Sequence, residues 1–273
     1  MAAHPNTEDL VMRHCAVLLV SVGMLCYAAV AEPPAGTVWE PNPEFTDEFN
    51  GTALDSAKWE DHNPTWEGRP PGWFNPKNVD VKDGNLELWA RAETLPGLKP
   101  EYKDFTTAAV KSKKTVLYGY FEVRCKPMKS HASSAFWFYN DEKDLWTEID
   151  VFEIGGAAEE HDHTYYMTLH VMRTPGDQTH RSSGDKWTAP YTLADEWHVY
   201  GIDWNERQLV WYVDGKPVRT VENTSWHQAL RLNFDSETMP EWFGLPTKEE
   251  LPAVFQIDWL RAWKKAEGKR KTE

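Results

Sequence analysis

The chain is poor in cysteine, with three in 273 residues. Two of them, Cys15 and Cys26, fall in an N-terminal stretch that reads as removable, which leaves Cys125 without an intrachain partner. A disulfide-stapled fold is thereby excluded, and a packed core must hold the molecule together. Positive charge is also scarce: 29 Lys and Arg stand against 43 Asp and Glu, a net charge of −14. That balance argues against nucleic acid or an anionic membrane as a partner. Long apolar runs are missing too, since the stretch 15–30 is shorter than the ~20 residues of a spanning helix. No internal repeat is visible, and no segment carries a strong amphipathic helical pattern longer than three turns.

The apolar run follows Arg13 and His14 and ends in Ala29-Val30-Ala31 before Glu32-Pro33-Pro34. A basic start, a short apolar centre and small residues at a cleavage point read as a secretory signal over 1–31. Met12 offers a more conventional start for it than Met1. The two residues before Cys26, Met24 and Leu25, are not the small ones a lipidated cysteine requires. The expected product is a secreted or periplasmic domain over 32–264, free of the membrane and monomeric, with a charged tail at 265–273.

What the chain has in abundance is tryptophan, fifteen in all, far more than a core needs. Flat rings with one polar tip suit stacking on the apolar faces of sugars. The rest of the pattern is short alternating segments separated by turn signals. Asp83-Gly84 and Asp214-Gly215 each join two such segments as hairpins. Strands are expected at 79–81, 86–89, 118–126, 136–139, 146–153, 165–171, 197–203, 208–213, 216–221, 231–235 and 254–263. Stretches 61–76, 94–104, 173–191 and 236–250 read as long loops. Many strands at short intervals specify an all-β sandwich.

One segment concentrates chemistry: Trp146-Thr147-Glu148-Ile149-Asp150-Val151-Phe152-Glu153. On a regular strand Glu148 and Asp150 share a face, and Glu153 points the other way. A β-bulge between Asp150 and Glu153 would bring all three acids onto one face. Packing alone does not ask for such crowding. Like charges held close push their pKa values apart, as two-carboxylate catalysis requires. By the same parity His170, on the strand 165–171, faces the acids and can bond a sugar hydroxyl or sulfate, or else serve structurally. In the loops, Trp66, Arg69, Trp73 and Phe74 are candidate contacts. Arg69, Arg173 and Arg181 suit a sulfated substrate, and are otherwise exposed loop arginines. His161-Asp162-His163 has no third ligand at a zinc-like spacing.

The pattern Glu148-x-Asp150-x-x-Glu153 resembles the active-site signature of glycoside hydrolase family 16, in its bulged branch. Tyr118-Gly119-Tyr120-Phe121-Glu122-Val123-Arg124, Ala135-Phe136-Trp137 and Trp211-Tyr212-Val213-Asp214-Gly215 resemble its flanking segments, so the likeness covers nearly all of 45–263. The stretch 233–246 is similar to a segment of β-agarases and porphyranases. The resemblance implies a β-jelly roll of two curved antiparallel sheets with a concave substrate cleft. It implies Glu148 as nucleophile, Glu153 as general acid/base and Asp150 as a helper hydrogen-bonded to Glu148. Trp137 would be a stacking platform, with Glu237 and Trp242 across the cleft. No cofactor is implied for catalysis. A structural Ca²⁺ is, held by Asp258 with carbonyls of Glu48 and Gly84. The implied activity is endo-cleavage of a red-algal galactan with retention. A κ-carrageenase, a β-1,3-glucanase and a lectin without chemistry are the alternatives.

Overall fold

The computed structural model describes Met1 and residues 32–266. The signal at 1–31 lies outside the described residues, as does most of the charged tail. No α-helix is found among the described residues, and a 3-10 turn at Pro76–Asn78 is the one helical piece there. The strands in chain order begin with β1 (Trp39–Pro41), β2 (Trp59–Glu60), β3 (Gly72–Phe74), β4 (Val79–Lys82), β5 (Asn85–Ala90) and β6 (Phe105–Ser112). Then come β7 (Gly119–Lys126), β8 (Ser134–Glu142), β9 (Leu145–Ile154), β10 (Thr164–Arg173) and β11 (Arg181–Thr188). The chain closes with β12 (His198–Trp204), β13 (Gln208–Val213), β14 (Lys216–Glu222), β15 (Arg231–Ser236) and β16 (Ala253–Lys265).

These strands form two eight-stranded sheets. The first runs β14-β13-β12-β7-β16-β5-β4, with β1 beside β16; the second runs β11-β10-β9-β8-β15-β6-β2, with β3 beside β6. Apart from the parallel β3–β6 pair, every pairing is antiparallel. The chain crosses between sheets at β1–β2, β3–β4, β5–β6, β6–β7, β7–β8, β11–β12, β14–β15 and β15–β16, the winding of a jelly roll. Both Asp-Gly turns form as expected: Asp83 and Gly84 have φ of 52° and 79°, and Asp214 and Gly215 47° and 73°. Two positive φ values in sequence are what a tight hairpin needs, and glycine supplies the second without strain.

Alternation puts one face of each sheet inward. Phe121, Tyr200, Trp204 and Phe255 from the first sheet meet Phe136, Phe138, Phe152, Tyr165 and Phe234 from the second, all fully buried. Burial of each such side chain stabilises the fold by roughly 1.5–3 kcal/mol. Cys125 is free and lies in this core. The opposite face of the second sheet is therefore free to carry polar groups in a cleft.

Some strands differ from the expectation. Residues 181–188, read as loop, form edge strand β11, whose side chains are almost all exposed. An edge strand bonded through its backbone to β10 needs no apolar alternation. The last strand continues through Lys264 and Lys265, because both pair with β1, so the tail begins later than expected. The segment 45–49 makes a single bridge, Asp47 to Leu260.

Candidate active site

The site is set by one irregularity in β9. Asp150 stands opposite Trp137 of β8, but Phe136, the next residue on that strand, stands opposite Phe152. On the other side Thr168 faces Asp150 and Tyr166 faces Glu153. One residue of β8 is thus matched by two of β9, with Val151 the extra residue. Val151 and Phe152 both turn into the core, fully buried, and the alternation restarts one step out of phase. Glu148, Asp150 and Glu153 then all line the same cleft.

Register builds the floor as three rungs across the sheet. One carries Ala109, Asp235, Ala135, Glu153 and Tyr166; the next Lys111, Asn233, Trp137, Asp150 and Thr168; the third Arg231, Tyr139, Glu148 and His170. The space above is a cleft of about 300 Å³. Its walls include Thr65, Trp66, Arg69, Trp137, Tyr139, Asp141, Trp146, Met172 and Glu237 beside the three acids. Loop 61–76 is strapped over the sheet: Arg69 O accepts from Thr238 Oγ1 at 2.7 Å, and Gly72 N donates to that oxygen at 3.1 Å.

The electrostatics are those of crowding. Glu148, Asp150, Glu153, Asp235 and Glu237 all sit in this patch; burial raises the pKa of each, and repulsion from acidic neighbours adds to it for all but Asp150, where His170 opposes the rise. They are not raised alike in kind. After burial, Glu153 feels Asp150, Glu237, Glu148 and Asp235, all of which push it further up. Glu148 is raised by burial and by Asp150, but His170 pulls it back. His170 Nε2 lies 3.3 Å from Asp150 and 4.0 Å from Glu148. Burial disfavours its proton, yet Asp150 and Glu148 outweigh that and raise its pKa. Its Nδ1 is 2.9 Å from His180 Nε2. Crowded acids of this kind retain protons near neutral pH.

The expected residues divide. Trp137 forms part of the cleft wall, stacked on Tyr139 with centroids 4.6 Å apart, its indole N–H donating to Asp235 at 2.8 Å. Trp66 meets it edge-on at 6.1 Å. Arg69 and Glu237 are both on the wall and bonded to each other at 2.8 Å. Asp150 has His170 as its partner, and no hydrogen bond joins it to Glu148 among the described residues. Trp73 is outside the cleft wall. It lies half-buried on β3 between buried Gly72 and Phe74, and alternation gives Phe74 the position against Trp66. Arg173 is also off the wall; it pairs with Asp141, bonds the carbonyls of Glu142 and Lys143, and lies over the Trp146 ring. Trp242 is 38% exposed beyond the wall, packed on Tyr166 and Phe243. Arg181 is exposed near Asp177.

Of the calcium ligands expected, Asp258 and the carbonyls of Glu48 and Gly84, the one side chain already has a partner in Arg124. Asp258 accepts from Arg124 at 2.6 Å and Glu48 is gripped by Arg261 at 2.7 and 2.9 Å, so each carboxylate already has its countercharge. Gly84 sits in its hairpin turn, with Asn50 as its nearest outside neighbour. His161 bonds the Tyr166 hydroxyl at 2.6 Å and His163 faces Asp162. The donor trio that does converge, within 4.8 Å, is Glu148, Asp150 and His170.

Sequence reasoning missed Asp235 as a site residue, although it stands two positions before Glu237 and strand alternation places both on one face. It also missed Lys111, Thr65, Tyr139 and Asp141. At its far end β9 runs into Gly155 and Gly156, where added Cβ atoms would stand 2.7 Å from the Phe243 ring and 2.2 Å from Met128 O.

The chain matches the family described as the GH16 domain of β-porphyranases A–D over residues 39–265. It is 32% identical to β-porphyranase D of Zobellia galactanivorans, covering 85% of this chain and 62% of that protein. It is 31% identical to β-porphyranase E of the same organism, covering 84% and 89%. The crystal structure of porphyranase B, also from Zobellia galactanivorans, is similar with a TM-score of 0.76 and 25% identity, over 87% of this chain and 97% of that one.

Proposed function

Because the chain belongs to glycoside hydrolase family 16, in the group of the β-porphyranase domains, we propose that it is a secreted, endo-acting glycosidase that cleaves a β-linked red-algal galactan with retention of configuration. The observation that carries this reading is the bulge at Val151, which turns three buried carboxylates into one aromatic-walled cleft.

The local fields distribute the roles. Glu153, raised by burial and by four acidic neighbours, keeps its proton and delivers it to the departing glycosidic oxygen. Glu148, with His170 near by, is the acid that ionises and attacks C1. The C1–oxygen bond breaks as the Glu148–C1 bond forms, giving a glycosyl-enzyme. Glu153, now a carboxylate, takes a proton from water, and the water oxygen displaces Glu148. Asp150 and His170 form the ion pair that holds the centre in place. Trp137, anchored at Asp235, offers its face to a sugar ring.

Porphyran is the first substrate to test, from the names of the relatives, followed by agarose and κ-carrageenan. The decisive experiment is digestion of these polymers and laminarin, with NMR of the first-formed products. Release of β-anomers from a galactan is expected. Inversion at C1, or tight binding without any new reducing ends, would defeat the reading.

A further inference from the structure

His170 reaches the acids through one edge of its ring: Nε2 lies 3.3 Å from Asp150 and 4.0 Å from Glu148. An imidazole bound along one edge can still flip or swing, and the bond at its other nitrogen fixes it. That second partner is neither a carboxylate nor a backbone carbonyl. It is another imidazole: His170 Nδ1 stands 2.9 Å from His180 Nε2, with the rings 5.2 Å apart and 24° from parallel.

The edge hairpin delivers His180 to this place. His170 pairs with Ser182 and Val171 with Arg181, so His180 lies on the same face as Ser182, diagonal to His170. The turn between the strands closes through the Thr174–Asp177 bridge, and Asp177 Oδ1 accepts from Thr179 N at 2.9 Å. Asp177 also pairs with Arg181, the residue after His180. His180 is exposed at this tied end of the hairpin, with its Nε2 directed at His170.

Two ring nitrogens at this distance hold one proton between them. When His170 is an imidazolium facing Asp150, its Nδ1–H donates and His180 Nε2 accepts. When His170 is neutral with its proton on Nε2, its Nδ1 accepts from His180 Nε2–H. In both cases the Nε2–H stays turned toward Asp150. A carbonyl or carboxylate in this position could only accept, and would favour the wrong tautomer whenever His170 became neutral. Glu148 alternates between carboxylate and sugar ester during the reaction, so the charge facing His170 changes twice in each turnover. A partner that can either accept or donate holds the ring through both changes.

We propose that His180 is a positioning residue for the cleavage reaction: it touches no reacting atom and acts by holding the His170 ring against Asp150 and Glu148. The inference rests on the retaining-galactanase reading and adds to it a residue from outside the cleft wall.

Kinetics on porphyran, agarose and κ-carrageenan test it, with the polymer that the wild type cleaves fastest. His180→Phe keeps a flat ring and removes the nitrogen. It should lower kcat about tenfold, the size of one hydrogen bond to a charged group, and leave KM within about twofold. His180→Gln, whose amide can accept or donate, should recover most of that loss. In a His170→Asn background His180→Phe should cost nothing further, because its effect passes through His170. Nitrogen-15 NMR of the imidazoles gives a readout independent of turnover. The His170 ring shifts should change in His180→Phe and return toward wild type in His180→Gln. Unchanged kcat in His180→Phe, equal losses in the Phe and Gln variants, a loss carried by KM alone, or unmoved His170 shifts each overturn the proposal. If the wild type releases no reducing ends from any of the polymers, the galactanase reading fails, and the NMR shifts still decide whether His180 holds the ring. If cleavage is intact and His180→Phe is silent, only the role of His180 falls.

Discussion

Around Glu153 five carboxylates share one buried patch, with Arg69 and His170 as the cations among them. Around Lys111, on the same sheet face, a single ammonium leans on three neutral oxygens and the Tyr139 ring, with no carboxylate in salt-bridge contact among the described residues. Both patches bury charge, and the difference lies in what relieves it. The acidic patch can relieve itself by keeping protons, which makes it a reservoir for proton transfer. The basic patch has the opposite route, because burial lowers the Lys111 pKa to about 8 and a neutral amine can accept from the Tyr139 hydroxyl. One patch is relieved by holding protons and the other by releasing one.

Breaking the acidic patch should have the largest effects. Glu148→Gln is expected to lower kcat on polysaccharide by roughly 10⁴-fold or more, as removal of a nucleophile does elsewhere. The same change should raise the melting temperature by a few degrees, because it removes one repelling charge. A melt that falls would show that Glu148 is held by attraction rather than crowding. Glu153→Gln should cost about 10²–10⁴-fold on polysaccharide but far less on aryl glycosides with good leaving groups. Equal losses on both substrates would take the acid/base role away from Glu153.

His170→Asn sharpens the comparison by removing one of the cations near the acids. The cation lowers the pKa of Glu148, so its loss raises it, and the acidic limb of the kcat/KM profile should move upward by about one pH unit. A profile displaced downward, or not at all, would contradict the pairing.

The smallest effect concerns stability against pH. Carboxyls whose pKa is higher in the folded than in the unfolded state bind more protons when folded, so acidification favours the native state. Outside the cleft Glu122 is pushed up to about 7 by burial, although the Tyr120 hydroxyl and Arg261 oppose this. Stability should therefore rise as pH falls from neutrality toward the ordinary glutamate range near 4.5. Below that it is lost, because Asp214 and Glu250 are held low by hydrogen bonds and His partners. Melting temperatures across pH 3–9 for the wild type and Glu122→Gln check this; the variant should show the shallower slope above pH 4.5.

Much of this was legible in the sequence where strands obey parity. The odd spacing of Glu153 demanded a bulge, and the register shift at Val151 supplies it. Parity also carried His170 to the acids, and the Asp-Gly pairs marked both hairpins. It failed where position depends on what a loop packs against. Trp66 and Trp73 look alike in sequence, and only the parallel pairing of β3 with β6 decides that the first reaches the cleft. Arg173 and Asp141 are far apart in sequence, so their mutual neutralisation was invisible. Lys111 was invisible for the opposite reason: an alternating apolar strand gives no sign that one of its polar members is buried without a counter-ion.

The two glycines that end β9 carry a further consequence. A ring of the loop after β15 occupies the space a side chain would fill at 155, and a backbone carbonyl does so at 156. That loop also holds Trp242, which rests on Tyr166, the cross-strand neighbour of Glu153. Rim and floor are thus interlocked by a missing side chain: the loop cannot swing outward on its own without opening a void beside Glu153. A polymer arriving at this trench meets a rim already seated.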